Sequence, residues 1–238
     1  MKNKNIYANT IAEYEAKKLL SKQSLTKIAN AQFCDAFKFL VSHGYLSERQ
    51  TLESYDIDRF IAMQKDYLKN FVLENASEEA LSKFLLNRPD FSEHSITELL
   101  KENIKNAKEL GSNFEKFLKH EIDIINILSF HRAKKIGYSS EEIKEELIEG
   151  GEISTEEFDV KGSDFEDILA LLNDGKLNEV RRRSNELALD AFSDGFNDFS
   201  TYDPFVKYFF EKLFEIRLVN YILVCLKYNI KAEINYGT

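Results

Sequence analysis

A serine followed three residues later by Glu or Gln recurs along this chain, at Ser47 with Gln50, Ser95 with Glu98, Ser139 with Glu142 and Ser154 with Glu157. That spacing lets the serine oxygen accept from the third backbone N–H of a helix while the longer side chain reaches back to the serine's own N–H. Each pair precedes apolar residues at three- and four-residue intervals, the period of a helix with one buried face. Ser77 opens a further stretch, SEEALSKFLL, with acids in the first turn where they complement the helix dipole. The pattern predicts helices near 6–20, 24–30, 32–43, 48–74, 78–87, 96–109, 113–135, 140–149, 164–173, 177–199 and 204–229.

Composition agrees with an all-α fold. Of 238 residues only 9 are Gly and 2 Pro, too little punctuation for the many short strands of a sandwich or barrel. With 43% hydrophobic residues, including 19 Phe and 11 Tyr, the chain can fill a core without metals or disulfides. No Gly/Ser- or Pro-rich linker interrupts it, and Glu149 to Asp167 is the expected exposed connection. Cys34 and Cys225 lie in apolar helical sequence and are expected as buried, reduced thiols, with pairing to one another as the alternative.

Charge narrows the partners. Lys and Arg total 32 against 41 Asp and Glu, a net charge of −9, which disfavours nucleic acid because phosphate neutralisation needs a basic face. The compact basic run Arg181, Arg182 and Arg183 reads as a solvated helix face. The most apolar stretch, Leu218 to Leu226, is far below the roughly 20 residues of a membrane span. Basic residues at the N-terminus are not followed by an apolar run, so no secretory signal is read there.

The sequence carries no motif for chemistry. His120 begins HEIDI, with Ile124 where a zincin needs its second histidine, and none of His43, His94, His120 or His131 has an acid three residues before it. All four are read as surface or partly buried residues. There is no glycine-rich phosphate cradle and no nucleophile elbow. The acids of EEIKEELIE, from Glu141 to Glu149, read as a solvated face rather than a metal site. No cofactor and no metal are expected.

An internal similarity is more informative. Phe114 to Leu128 can be laid on Phe205 to Leu223: aromatic residues, a charged turn, then an acid, Asp123 or Glu215, leading into a strongly apolar run. A carboxylate so placed either points to solvent or is buried with a partner.

These residues resemble a known family. EIDIINILSFHRAKKIGYSSEEIKEELIEGGEIS, from Glu121 to Ser154, looks like a segment of the V/A-type ATPase subunit termed C in archaeal and bacterial enzymes and d in eukaryotic ones. Asp123, Asn126 and Arg132 fit the recurring Asp, Asn and Arg of that segment, and Glu149 to Gly151 its following turn. Pro204, Tyr208, Glu215, Ile216 and Arg217 match the family's last helix, while Tyr7, Ala8 and Tyr45 match its opening helices. Departures are Glu93 in place of an Asn, and Leu218 and Asn220 where Asn and Arg are usual.

The resemblance implies pseudo-repeated helical bundles in a funnel-like architecture, in a chain shorter than family members usually are. It implies a middle unit reduced to little more than Ser95 to Leu128, an N-terminal helical unit over 1–110 and a C-terminal one over 111–238. It further implies a non-catalytic central-stalk component, cytoplasmic and peripheral on the membrane, whose partners are the rotor-shaft subunits and the membrane rotor ring of an H⁺- or Na⁺-transporting ATPase. Asp123, Asn126, Arg132, Glu215 and Arg217 would then be architectural, pairing charges between the motif helices. An unrelated all-helical adaptor is the competing reading.

Overall fold

In a computed structural model the chain is described over residues 2–45, 55–156, 158–195, 198, 200–232 and 234. Eleven α-helices and no strand occur among the described residues. They are α1 (Lys2–Ala16), α2 (Lys22–Ala29), α3 (Phe33–Ser42), α4 (Ile57–Asn75), α5 (Glu79–Leu86), α6 (Ile96–Leu110), α7 (Ser112–Lys135), α8 (Ser140–Glu145), α9 (Glu166–Asn173), α10 (Leu177–Leu189) and α11 (Asp203–Lys227). A 3₁₀ turn, Asp190–Gly195, follows α10. The chain divides into two compact units, 1–86 with 195–238, and 87–194. The expected 110/111 boundary falls inside the second, at the Gly111 turn between α6 and α7, two helices that pack on each other.

The first unit is built around α11. This helix is apolar on almost every side, with Phe205, Phe209, Leu213, Ile216, Val219 and Leu223 buried, and a helix of that kind must be surrounded. α1, α2, α3 and α4 surround it. Phe71 of α4 stacks on Phe205 at 5.2 Å and meets Tyr208 edge-on at 4.9 Å. No side chain of its own caps α11; instead Asn9 of α1 accepts from the Phe205 N–H at 3.2 Å and donates to the Thr201 carbonyl at 2.7 Å.

In the second unit α7 is the central helix, contacted by α6, α8, α9 and α10. Phe114 and Phe117 pack on Phe192 of the 3₁₀ turn at 4.9 and 5.5 Å.

Two of the expected capping boxes are complete. Ser95 with Glu98 starts α6 and Ser139 with Glu142 starts α8, and the serine bonds hold both carboxyls below the ordinary glutamate range. The Ser47 and Gln50 box, and Glu157 of the fourth, lie outside the described residues.

Other expectations yield to tertiary partners. The predicted helix 6–20 stops at Ala16 because the Leu20 N–H is taken by Glu215, and Asp56 supplies the cap of α4. Ser77 does not open α5, since its hydroxyl bonds Tyr202 Oη at 2.6 Å. α8 ends at Glu145 rather than 149, and α10 at Leu189 rather than 199. Cys34 is exposed, on the side of α3 away from buried Ala36, Phe37 and Leu40; Cys225 is buried, and both are free thiols. Arg182 and Arg183 are tied to Glu186 and Asp167 at 2.5 Å.

Candidate functional site

Each unit holds a buried polar centre on its long helix. In α7, His120, Asp123 and Asn126 follow at three-residue intervals, so they occupy one face. All three are buried. That face holds the turn 148–153. Asn126 donates to the Ile148 carbonyl at 2.8 Å and accepts from the Ile148 N–H at 2.9 Å, as a paired backbone would. One turn back, Asp123 accepts from the N–H groups of Glu152 at 2.8 Å and Ile153 at 3.2 Å.

Close approach requires glycine here. A Cβ on Gly151 would lie 2.8 Å from Asp123 Cγ and closer still to its oxygen, while Gly150 takes φ +104° beside Ile122. Burial pushes the Asp123 carboxyl above the usual aspartate range, and its two amide bonds act in the opposite direction.

His120 joins a third segment. Its Nδ1 lies 2.8 Å from the Leu187 carbonyl of α10, which can only accept, so Nδ1 carries the proton. Nε2 then faces Glu152 Oε2 at 3.5 Å. At the start of the unit Arg88 pairs with Glu121 at 2.5 Å and lies over the Phe117 ring at 5.4 Å. Arg132 is exposed on the last turn of α7.

The centre of the first unit is Glu215 of α11. Its carboxylate accepts from the Leu20 N–H, from Tyr45 Oη and, at 2.8 Å, from Lys212 Nζ. Lys212 Nζ also stands 4.0 Å over the Tyr45 ring, and Gln64 Nε2 donates to the Tyr45 carbonyl. Tyr45, Gln64, Lys212 and Glu215 are all buried, and burial with the neighbouring carboxylate drives the Tyr45 phenol far above its ordinary range. A second close approach lies at the start of α11, more than three turns from Glu215, where a Cβ on Gly195 would collide with the buried Asp203 carboxyl. Arg217 is exposed.

Asp123 and Asn126 thus come together on one turn, and Glu215 has its own cluster. The carboxylates find their recorded partners inside their own units, from backbone N–H groups, a phenol and a lysine. Each Asp123 oxygen accepts one backbone N–H, and the Glu215 carboxylate accepts from three donors. Among the described residues no group of three or more His, Cys, Asp or Glu is arranged to hold a metal ion. Lys212 and Gln64 carry no expectation from the sequence, although the three-residue spacing of Lys212 to Glu215 is a readable signal. His120 and His131, expected at the surface or partly buried, are both buried.

Comparison with known proteins gives a match to one family model, described as ATP synthase (C/AC39) subunit, over residues 90–235. No curated protein matches the chain. The matched region covers more than half of the sequence and contains α7, the 148–153 turn and α11.

Proposed function

The chain belongs to the ATP synthase (C/AC39) subunit family, the C/d family of V/A-type ATPases, and from that membership we propose a non-catalytic component of the central stalk. In this reading it connects the soluble rotor shaft to the membrane rotor ring, and torque generated by ATP hydrolysis elsewhere passes through it to the ring that moves H⁺ or Na⁺. It sits on the cytoplasmic side and is peripheral, held by partner subunits. No described helix is long and apolar enough to cross a membrane.

The family match carries the proposal, and the polar centres support it. A part that transmits torque has to resist deformation, and close-packed helices transmit strain rather than absorb it. Connections are the weak points of such a body. Here the 148–153 turn is fastened to α7 by four backbone hydrogen bonds through Asp123 and Asn126, and the segments at Leu20 and Tyr45 are fastened to α11 through Glu215. Asp123, Asn126 and Glu215 are architectural in this account, and Arg132 and Arg217 are exposed charges of the same helices.

Co-purification tests it. Tagged protein recovered from mildly solubilised membranes of its own cell is expected to bring down rotor-shaft and rotor-ring subunits. Recovery of the chain without any other part of the ATPase would sink the proposal.

A further inference from the structure

His120 stands where three further segments of the second unit meet α7. Its Nδ1 is 2.8 Å from the Leu187 carbonyl of α10, its Nε2 is 3.5 Å from Glu152 Oε2 of the 148–153 turn, and the Phe165 ring at the start of α9 meets it edge-on at 5.5 Å. The residue is only 5% exposed, whereas the Glu152 side chain is 46% exposed and reaches the histidine from the solvent side.

Both ring nitrogens therefore face acceptors. A neutral imidazole has one N–H and one lone pair. The Leu187 carbonyl claims the N–H, so the neutral ring turns a bare lone pair toward a carboxylate oxygen. Imidazolium has an N–H on each nitrogen and serves both neighbours at once. While Glu152 is ionised, only the charged ring matches this pair of partners.

The charges at the turn favour the same state. Glu152 is held at both ends, its backbone N–H by Asp123 at 2.8 Å and its carboxylate by His120. Two carboxylates thus share one imidazole. Burial raises the Asp123 carboxyl most, the Glu152 charge adds to that rise, and His120 opposes it. Other charged groups on the elements around His120 are engaged elsewhere: Glu121 pairs with Arg88, Arg182 and Arg183 of α10 pair with Glu186 and with Asp167 of α9, and Glu166 accepts from the Gly162 N–H. Lys116, Lys119, Glu149 and Arg181 are exposed to solvent. His131, roughly three turns further along α7, is pushed below the ordinary histidine range by burial and by Lys135 and Arg132, so it stays neutral near pH 7.

We propose that His120 is a proton-operated clasp: as imidazolium it ties α10 at Leu187 and the 148–153 turn at Glu152 to α7, and on losing its proton it releases Glu152 and loosens the turn. This device goes beyond the central-stalk reading and does not depend on it. The closed clasp holds a proton more tightly than the open one, so closure strengthens as pH falls through the histidine range and weakens as pH rises through it. Below about pH 5 the carboxylates themselves take protons and the pair with Glu152 ends.

Hydrogen exchange on the full chain tests the clasp, with protection factors corrected for intrinsic exchange and amides in the middle of α7 as the reference for global opening. At the Glu152 and Ile153 N–H groups, protection is expected to be about fivefold lower near pH 8 than near pH 6, the upper end for an ion pair with one exposed member. Glu152→Gln keeps the backbone bonds to Asp123 and removes the charge that the imidazolium meets, and His120→Gln keeps a donor for Leu187 and removes the titrating group. Each should abolish the pH dependence; if His120→Gln does not fold, the half-exposed Glu152→Gln decides. Equal protection at both pH values in the native chain would overturn the clasp. So would a pH-dependent fall that persists undiminished in Glu152→Gln, or one that the α7 reference amides share in full.

Discussion

The carboxylate of Asp123 lies where the side chain of residue 151 would be, and glycine at that position is what admits it. From there Asp123 reaches the next two backbone N–H groups, those of Glu152 and Ile153. The aspartate and the glycine, on a helix and a turn nearly thirty residues apart in sequence, are thus one structural device.

Gly151→Ala tests the device. Gly151 is not in the left-handed region, so backbone strain does not enter, and the whole effect comes from the collision with Asp123. A loss of about 2 kcal/mol in urea unfolding is expected, the usual scale of overpacking. Asp123→Ala alone leaves two donors without their acceptor and is expected to cost about 1–3 kcal/mol. Combined, the two changes should cost less than their sum, because removing the carboxylate removes the collision. Additive losses would show that the two residues do not interact.

Asn126 donates and accepts at once, and that makes its substitutions distinguishable. Asn126→Asp keeps the acceptor for the Ile148 N–H but sets a carboxylate oxygen against the Ile148 carbonyl; Asn126→Leu discards both bonds. Each is expected to lower stability by about 2–3 kcal/mol. Amide hydrogen exchange at Ile148 separates them: protection should fall further in Asn126→Leu than the global loss accounts for. Unchanged protection at Ile148 in both variants would count against the clamp.

These relationships mark the limit of what the sequence displays. The boxes at Ser95 and Ser139 are readable because donor and acceptor lie within three residues. Asp123 and Glu215 stand out as acids entering apolar runs, which says that partners are needed without saying which. Those partners are backbone amides 29 and 30 residues away for Asp123, and a phenol and an amide 170 and 195 residues away for Glu215. Side-chain pattern carries no trace of a backbone N–H. The same blindness explains the helix ends: α1 stops short for Glu215, and Ser77 is claimed by Tyr202 instead of capping α5. Gly150 and Gly151 were legible as a turn, but not as the space for a carboxylate.

Four phenols of the first unit give it an alkaline limit. Burial pushes Tyr202 up to about 12 and raises Tyr45, Tyr67 and Tyr208 further. An unfolded tyrosine ionises near pH 10, so above that point the unfolded chain releases protons that the native chain retains. Their contribution is therefore intact below about pH 10 and is lost as pH rises toward the native values. Each deeply buried phenol should steepen the decline by up to about 1.4 kcal/mol per pH unit, and half-exposed Tyr67 by less. Tyrosinate absorbance and far-UV circular dichroism should change together, and Tyr208→Phe should flatten the decline. Ionisation of all tyrosines before any loss of helix would contradict this.

Lys212 and Glu215 form a buried ion pair at 2.8 Å, and its two halves are unequal. Removing Glu215 strands the Lys212 ammonium in the core and takes acceptors from Tyr45 and Leu20, so Glu215→Leu is expected to cost about 3–5 kcal/mol. Lys212→Met leaves the carboxylate with the phenol and the amide as donors and keeps an unbranched side chain over the Tyr45 ring, so its cost should be smaller, about 1–3 kcal/mol. In the double variant the stranded charge is gone, and stability should recover to well above that of Glu215→Leu alone. Urea unfolding of the four proteins completes the cycle. If Lys212→Met fails to rescue Glu215→Leu, the dominant cost lies in the lost bonds to Tyr45 and Leu20 rather than in the uncompensated ammonium, and the fastening of those segments to α11 is the larger part of what Glu215 does.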